Sequence, residues 1–251
     1  MKPRTLFIDI ETAPLIIAAW QLWEANAVWV ERDTYILSFS AKWADEKKVR
    51  TFSLPDFPAY RKDPHNDRDL VGRLFSFLDE ADIVVAHNGD RFDIPKINAR
   101  FAIHGLRPPS PYKSFDTLKL ARKFKFDSSK LDNLGRYLGC GRKVVTTGAD
   151  LWRRCTSDKY DRKAWKRMVR YNEMDVRLLE RVYLKLRPWS TTHPNMAALT
   201  EKPCCPVCQS NHIQRRGFNL ARTKKTPRFN CTSCGNWFSR SQREDRRTRP
   251  L

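Results

Sequence analysis

The sequence has no apolar stretch of about 18 residues, the minimum for a helix that crosses a bilayer. Its first residues lack the basic and apolar segments of a secretory signal, and no internal repeat or low-complexity tract is visible. These absences argue against a membrane-spanning protein. We expect a soluble intracellular protein, large enough at 251 residues to hold one medium domain and a small second one.

Acidic residues are scarce, because 28 Asp and Glu are set against 48 Lys and Arg, and the formal net charge is +20. This excess goes beyond what solubility requires and favours a polyanionic partner. A membrane surface is one candidate, but the sequence offers no other membrane feature. We therefore expect nucleic acid as the partner and no membrane.

Cysteine is sparse over most of the chain, where only Cys140 and Cys155 occur. The other five crowd the last quarter: Cys204, Cys205, Cys208, Cys231 and Cys234. Such crowding in an intracellular protein indicates a metal cluster rather than a disulfide framework.

Two of the acids lie in an apolar segment near the start, LFIDIETAP at Leu6–Pro14. On a strand, Asp9 and Glu11 share one face, because alternate side chains point the same way. The apolar run Thr5–Ile10 predicts a buried strand rather than an edge. Two carboxylates there raise each other's pKa unless a cation lies between them. The alternative interpretation is that Asp9 and Glu11 lie on a strand face that is exposed to solvent.

Apolar periodicity predicts an α/β fold, a mixed sheet flanked by helices. The predicted strands are Thr5–Ile10, Tyr35–Trp43, Val49–Leu54, Ile83–Ala86 and Ser114–Leu118. Helical spacing covers residues 70–78, 94–103, 118–124 and 163–186. The second and third strands are expected to be antiparallel neighbours.

Two further acids fall on these elements. Asp93 follows the fourth predicted strand and begins a helix. One interpretation is that its carboxylate serves only to cap that helix. Asp175 lies four residues after Tyr171, on a mostly apolar helix face where a lone carboxylate is unfavourable. With Asp9 and Glu11, these acids need a shared cation, and Mg²⁺ or Mn²⁺ suits an all-oxygen site. Two such ions about 4 Å apart promote displacement at phosphorus, so the residues predict phosphodiester hydrolysis.

These residues form three ordered motifs: Asp-x-Glu at Asp9, Asn-x-x-x-Phe-Asp at Asn88 to Asp93, and Tyr-x-x-x-Asp at Tyr171 to Asp175. The set resembles the DEDDy 3′–5′ exonucleases, a ribonuclease H-like superfamily that includes the proofreading domains of DNA polymerases. The resemblance spans residues 5 to 186 and is nearest to stand-alone bacterial and phage-encoded proteins of the polymerase-B type. This resemblance implies that the protein is located in the cytoplasm of a bacterium or of a phage-infected host.

The resemblance implies a role for each motif residue. Asp9, Glu11 and Asp175 would bind the metal ion that activates water. Asp9 would also bridge to a second ion, which Asp93 helps to hold, and Tyr171 would orient the water. The histidine subtype has His five residues before the last Asp, a position that is arginine here.

Asn88 and three tryptophans flank the expected site. Asn88 would contact the substrate strand, or would serve only the Asn-Gly turn. Trp20, Trp23 and Trp29 could stack on terminal bases. For each of these tryptophans we favour the alternative, a helical position in the hydrophobic core.

Paired C-x-x-C knuckles occur at Cys205, Cys208, Cys231 and Cys234. Two such turns can bind a tetrahedral zinc ion, and a segment of about 40 residues with few apolar side chains needs such a ligand to fold. The pattern resembles a zinc ribbon with one structural Zn²⁺. Cys204 could replace Cys205, but only Cys205 gives the two-residue gap to Cys208, and His212 is a weaker candidate.

Basic residues are concentrated between and after the knuckles. The candidate phosphate contacts are Arg215, Arg216, Lys224, Lys225 and Arg228. Aromatic residues are interleaved with them, which is typical of nucleic-acid-binding modules. We expect Phe229 and Phe238 to pack together while the basic side chains meet phosphate.

The predicted organisation is a ribonuclease H-like domain (1–187), a linker (188–203), a zinc ribbon (204–240) and a basic tail (241–251). The predicted function is a 3′–5′ exonuclease that uses two Mg²⁺ or Mn²⁺ ions, with DNA favoured over RNA and the ribbon aiding nucleic-acid binding. Two alternatives are a non-catalytic nucleic-acid-binding protein on a nuclease scaffold and a structure-specific endonuclease.

Overall fold

The chain folds into a mixed sheet flanked by helices, followed by a small sheet at the cysteine knuckles. A computed structural model describes residues 3–23, 26–200 and 203–240. The strands are β1 (Thr5–Thr12), β2 (Ile16–Ala18), β3 (Trp29–Arg32), β4 (Ile36–Trp43), β5 (Arg50–Ser53), β6 (Ile83–Ala86), β7 (Lys113–Asp116), β8 (Ile213–Leu220), β9 (Lys225–Cys231) and β10 (Trp237–Ser239). The helices are α1 (Arg68–Asp79), α2 (Asp93–Ile103), α3 (Thr117–Arg122), α4 (Leu131–Tyr137), α5 (Ala149–Cys155) and α6 (Arg162–Leu186).

The large sheet has the strand order β5-β4-β1-β6-β7, so β1 is central. It pairs antiparallel with β4 and parallel with β6. Leu6, Ile8 and Ile10 pack with α1 and α2 on one face, while Phe7 packs with α6 on the other. The predicted α/β class and the buried first strand are confirmed. Because strands alternate faces, Asp9 points to the side that α6 covers.

Three local predictions differ from the structure. The strand predicted over Ser114–Leu118 ends at Asp116, because the Asp116 carboxylate accepts the Leu118 amide and caps α3. The short helices α4 and α5 were not predicted. Seven residues each is too short to display a helical period.

The third difference is the segment between β1 and β4, which forms the two-stranded ribbon β2–β3. Trp20, Trp23 and Trp29 lie in or beside this ribbon and are 89%, 84% and 60% exposed. The expectation that they occupy helical core positions is wrong. Among the described residues, β2 and β3 form a two-stranded sheet separate from the five-stranded one, so these three tryptophans do not reach the core.

The C-terminal part is a three-stranded sheet, β10-β9-β8. The segment before it, residues 188–200, forms hydrogen bonds both to the C-terminal part and to α6. Asn236 Nδ2 donates to the Pro188 carbonyl at 2.8 Å, and the Met196 amide donates to the Pro206 carbonyl at 2.8 Å. His193 Nε2 lies 2.8 Å from the Tyr183 hydroxyl of α6. The small sheet is thereby attached to the larger body by specific contacts.

The basic tail 241–251 and residues 201–202 of the expected linker lie outside the described residues. Within the part of the chain that is described, no helix combines the length and apolarity needed to cross a membrane.

Candidate active site and metal centres

Three carboxylates from distant parts of the sequence meet beside the end of β1. Asp9 and Glu11 project from β1, and Asp175 projects from the middle of α6. One oxygen atom from each lies within 4.8 Å of the others. The solvated-face interpretation of Asp9 and Glu11 does not fit this geometry, because α6 encloses that side of the sheet.

Burial is the main electrostatic cost of this arrangement. It raises the pKa of Asp9, and repulsion from Glu11 adds to the increase. Burial, followed by repulsion from Asp175, raises the pKa of Glu11 to about 8. Burial also raises the pKa of Asp175, although Lys143 opposes that change. Negative charge therefore exceeds positive charge at this site, and a hard divalent cation with oxygen ligands would balance it.

Asp93 is the fourth carboxylate. It is the first residue of α2, and its Oδ1 accepts the Ile10 amide at 3.1 Å, between Asp9 and Glu11. Asp93 does not occupy the N-cap position, which belongs to Phe92, and its carboxylate accepts a hydrogen bond from β1 across the site. Burial raises its pKa to about 7. Asp93 lies outside the three-carboxylate group but close enough to repel Asp9.

Lys143 is the cation of this site, and sequence reasoning gave it no role. Its Nζ lies 2.5 Å from Asp175 Oδ2 and donates to the Tyr171 hydroxyl at 3.0 Å. Burial alone would lower its pKa, but the carboxylates of Asp175 and Asp9 hold the pKa above the ordinary value. The Lys143 backbone amide donates to Asp132 Oδ1 at 2.8 Å, and this bond fixes the loop that carries Lys143. Only its place after the segment SSKLDNLGRYLG could have drawn attention to it.

A divalent cation would balance the three carboxylates better than Lys143 does alone. The Asp175 side chain is 1% exposed, and neither of its oxygens has a well-aligned hydrogen-bond donor among the described residues. A buried carboxylate with so few hydrogen bonds is costly unless it is coordinated.

Asn172 is the second residue that sequence reasoning missed. It is fully buried on α6, and its Nδ2 donates to Asp9 Oδ2 at 2.6 Å and to the Asp9 carbonyl at 3.2 Å. Its Oδ1 accepts from Ser38 Oγ at 3.2 Å. These bonds fix the orientation of the Asp9 carboxylate. The available signal was a polar residue on the buried face of α6, next to Tyr171.

Tyr171 lies one helical turn before Asp175, as its spacing predicts. Trp152 of α5 packs edge-on against its ring at a centroid distance of 5.8 Å. Burial raises the pKa of Tyr171 to about 12, so its hydroxyl stays protonated and can donate a hydrogen bond.

Asn88 lies in the turn between β6 and α2. It adopts a positive φ of 68°, and its backbone amide donates to Asp116 Oδ1 at 2.9 Å. The next residue must be glycine, because a Cβ on Gly89 would lie 2.4 Å from the Ala86 Cβ. Asn88 lines an open groove of about 670 Å³ that also contains Lys143. The groove therefore leads to the acidic site.

The four knuckle cysteines form a second centre. Sulfur atoms of Cys205, Cys208, Cys231 and Cys234 all lie within 4.8 Å of one another. Cys205 and Cys234 are 3.7 Å apart, and Cys208 and Cys231 are 3.6 Å apart. Four thiolates about 2.3 Å from a tetrahedral zinc ion would be about 3.7 Å apart, so the cluster fits zinc. Cys204 and His212 are not in this group, and His212 is exposed.

The candidate phosphate contacts lie on β8, on β9 or in the turn between them, and all are exposed: Arg215, Arg216, Lys224, Lys225 and Arg228. Arg215 and Lys225 flank the Phe218 ring at 5.3 and 5.0 Å from its centroid. The predicted packing of Phe229 and Phe238 is confirmed by stacked rings 5.7 Å apart. The basic surface therefore faces water while two aromatic rings supply a small core.

The raised carboxylate pKa values predict how stability changes with pH. Acids whose pKa is raised by folding bind protons in the folded state that the unfolded chain has lost, so the Mg²⁺-free fold loses stability as pH rises from about 4.5 to about 8. A bound divalent ion replaces those protons. We expect Mg²⁺ or Mn²⁺ to raise the melting temperature more at about pH 8 than at about pH 5.

Thermal unfolding of zinc-loaded protein, dialysed free of Mg²⁺ without a chelator, measures this effect. A Mg²⁺-dependent increase that is the same at both pH values would contradict the assignment of these acids as ligands.

The chain resembles known proteins in sequence and in fold. The family model of the RNase H superfamily matches residues 6–187 of the chain. Among curated proteins, no relative matches. The solved structure of the family B DNA polymerase from the hyperthermophilic archaeon Pyrobaculum calidifontis is similar, with a TM-score of 0.54 and 18% sequence identity. The similar region covers 74% of this chain and 25% of that polymerase, so this chain spans about a quarter of its length. At this identity the likeness shows a shared fold.

Proposed function

The chain belongs to the RNase H superfamily, and from that premise we propose that it is a metal-dependent 3′–5′ exonuclease, with DNA as the favoured substrate. One observation carries the proposal: the three-carboxylate group of Asp9, Glu11 and Asp175, with Asp93 beside it and Tyr171 one turn away. A net charge of +20 supports a polyanionic substrate.

In this proposal the site would hold two Mg²⁺ or Mn²⁺ ions, which would supply Lewis-acid stabilisation of the attacking and leaving oxygens at phosphorus. Asp9, Glu11 and Asp175 would hold one ion, and Asp93 would help Asp9 to hold the other. The side chain of Asn172 keeps the Asp9 carboxylate in one orientation, because it donates to Oδ2 at 2.6 Å. Preorganised ligands of this kind need no rearrangement when substrate arrives.

Tyr171 and Lys143 act on the substrate side of these acids. The Tyr171 hydroxyl, protonated throughout the physiological range, donates a hydrogen bond that orients the attacking water. The Lys143 ammonium offsets the acidic charge and reaches the mouth of the groove, where it can contact a phosphate oxygen. Hydrolysis joins the water oxygen to phosphorus and breaks the bond to the 3′ oxygen of the preceding nucleotide. The products are a nucleoside 5′-monophosphate and a strand one nucleotide shorter.

The zinc ribbon, in this proposal, adds affinity for nucleic acid. Five exposed cations on β8, β9 and the turn between them attract the backbone, and Phe218 offers a ring for stacking. Attachment of this surface to the nuclease body raises its effective concentration near the strand, which favours removal of several nucleotides per encounter.

Labelled substrates test the function and its direction. Single-stranded DNA labelled at its 5′ end should give a ladder of strands shortened one nucleotide at a time, and DNA labelled at its 3′ end should release labelled mononucleotide first. An RNA of the same sequence should be cut more slowly. The reaction should require Mg²⁺ or Mn²⁺.

Circular single-stranded DNA is the matched control, because it has no end and should stay intact. Cutting of the circle would favour the endonuclease alternative. Tight binding without cleavage of any substrate would favour the non-catalytic alternative.

A further inference from the structure

The first half of α6 carries exposed cations that the proposed catalytic site does not use. We call the set the basic α6 face: Lys163, Lys166, Arg167 and Arg170. Spacings of three and four residues place these side chains on one side of the helix. All four are exposed, and within the described residues Lys163, Lys166 and Arg170 take part in no ion pair. No acidic residue falls between Arg162 and Tyr171 to offset the charge.

The face continues into the corner between α5 and α6. A cavity of about 440 Å³ there is lined by Arg153, Arg154, Lys159 and Arg162, among others. Arg153 and Arg154 are paired with Asp150 and Asp161, so the uncompensated positive charge belongs to α6 and the loop before it. A surface on which cations outnumber acids costs repulsion in the free protein, and a polyanion relieves that cost.

Along the axis of α6, the face lies on the N-terminal side of the catalytic site. At 1.5 Å per residue, Arg170 lies about 8 Å along the helix from Asp175 and Lys163 about 18 Å. Arg167 Nη2 donates to the Val145 carbonyl at 2.7 Å, which ties the face to the loop that holds Lys143. The face itself, from Lys163 to Arg170, is about 10 Å long, which accommodates a few consecutive phosphates.

The groove at Asn88 lies on the other side of the site. It is lined by Leu118 and Leu131 of α3 and α4, and those helices pack against the second half of α6, around Leu178 and Leu179. The helix α5 packs against the first half, through Trp152 and Tyr171. Along α6, therefore, the groove and the basic α6 face lie on opposite sides of Asp175.

We infer that the basic α6 face binds the backbone of a second strand, so that the preferred substrate is a duplex with a recessed 3′ end and a 5′ overhang on the complementary strand. This inference rests on the proposed function. A strand cleaved at its last phosphodiester ends at the metal ions, so it can occupy only one of the two sides. Phosphates on the opposite side must belong to the strand that continues past that end.

Equilibrium binding of the full zinc-loaded chain tests the inference, with Ca²⁺ in place of Mg²⁺ to prevent turnover. The probes are one duplex with a recessed 3′ end and an overhang longer than the face, the same duplex with blunt ends, and the recessed strand alone. The wild-type chain should bind the overhang duplex about tenfold more tightly than the other two. The variant Lys163→Gln/Lys166→Gln should lose most of that gain. For this variant, the slope of log K against log salt concentration between about 50 and 200 mM should become shallower by up to about 2. This change should occur with the overhang duplex only.

The matched control is Lys47→Gln/Lys48→Gln. These two cations are equally exposed, but they follow Trp43, which pairs with Leu6 at the end of β1 opposite to the acids. This variant should keep the overhang preference. Equal losses by the α6 variant on all three probes, or no loss on any, would overturn the inference. Because binding in Ca²⁺ requires no hydrolysis, that result would leave the exonuclease proposal intact, whereas a missing 3′ ladder would overturn the exonuclease proposal itself.

Discussion

Replacement of Asp9 by asparagine is expected to slow phosphodiester hydrolysis by at least about a thousandfold. Asp9 is the acid that the proposed mechanism shares between both metal ions. An amide carries no charge and binds a hard divalent ion weakly. Substrate binding should change little, because the cations of the groove and the ribbon are untouched.

The same change is expected to stabilise the Mg²⁺-free protein at neutral pH. Burial and repulsion from Glu11 raise the pKa of Asp9, so its charged form is unfavourable in the fold. An asparagine removes that charge and keeps an oxygen in place of Oδ2 to accept the 2.6 Å bond from Asn172. Loss of activity with a gain in stability separates a metal ligand from a residue that only supports the fold.

Initial rates on 5′-labelled DNA, together with melting temperatures in Mg²⁺-free buffer, measure both effects. Asp90→Asn is the matched control, because the Asp90 carboxylate turns outward to Ser114 and to Lys119. That variant should keep its rate within a few-fold of wild type. An Asp9→Asn protein that retains the wild-type rate would refute the assigned site.

Cys205→Ser is expected to release zinc and unfold the small sheet. Structural zinc contributes about 10–16 kcal/mol to folding in small zinc modules, as much as the whole stability of a typical domain. The cluster Cys205, Val207 and Cys231 is the buried apolar core of that sheet, too small to hold it together without the metal. The larger domain has its own core and should remain folded.

Zinc content, limited proteolysis and DNA affinity test this expectation. The Cys205→Ser chain should bind less than one zinc ion, be cut by protease between about residues 190 and 240, and bind DNA at least about tenfold more weakly. Cys204→Ser is the matched control: its sulfur lies outside the four-sulfur group, 3.1 Å from Thr200 Oγ1. Loss of zinc from the Cys204 variant, or full zinc in the Cys205 variant, would reverse the assignment.

Residues whose chemistry conflicts with their local pattern could be found from the sequence. Asp9, Glu11 and Asp175 are charges on faces that apolar neighbours mark as buried, and the structure brings these three together. Lys143 and Asn172 could not be assigned in this way. Lysine in a loop and asparagine in a helix are ordinary, and their partners appear only when β1, α6 and the loop before α5 are assembled.

The tryptophan ribbon was mispredicted for a related reason. Aromatic content favours a buried position only when a core is available to receive the side chain. The strands β2 and β3 pair with each other, and that pairing depends on the path of the chain rather than on composition. The cysteine spacing, by contrast, is a local geometric requirement and could be interpreted directly.

The positions of the acids along the chain also affect the order in which the protein becomes active during its synthesis. The first two acids emerge at residues 9 and 11, whereas Asn172, which orients Asp9, follows 163 residues later. At typical translation rates that separation lasts roughly 10 to 30 s. During this interval β1 can pair first with β4 and later with β6, but the acidic site lacks its α6 side. The three carboxylates therefore come together only after Asp175 has been synthesised, so the site is assembled much later than the strand that carries two of its acids.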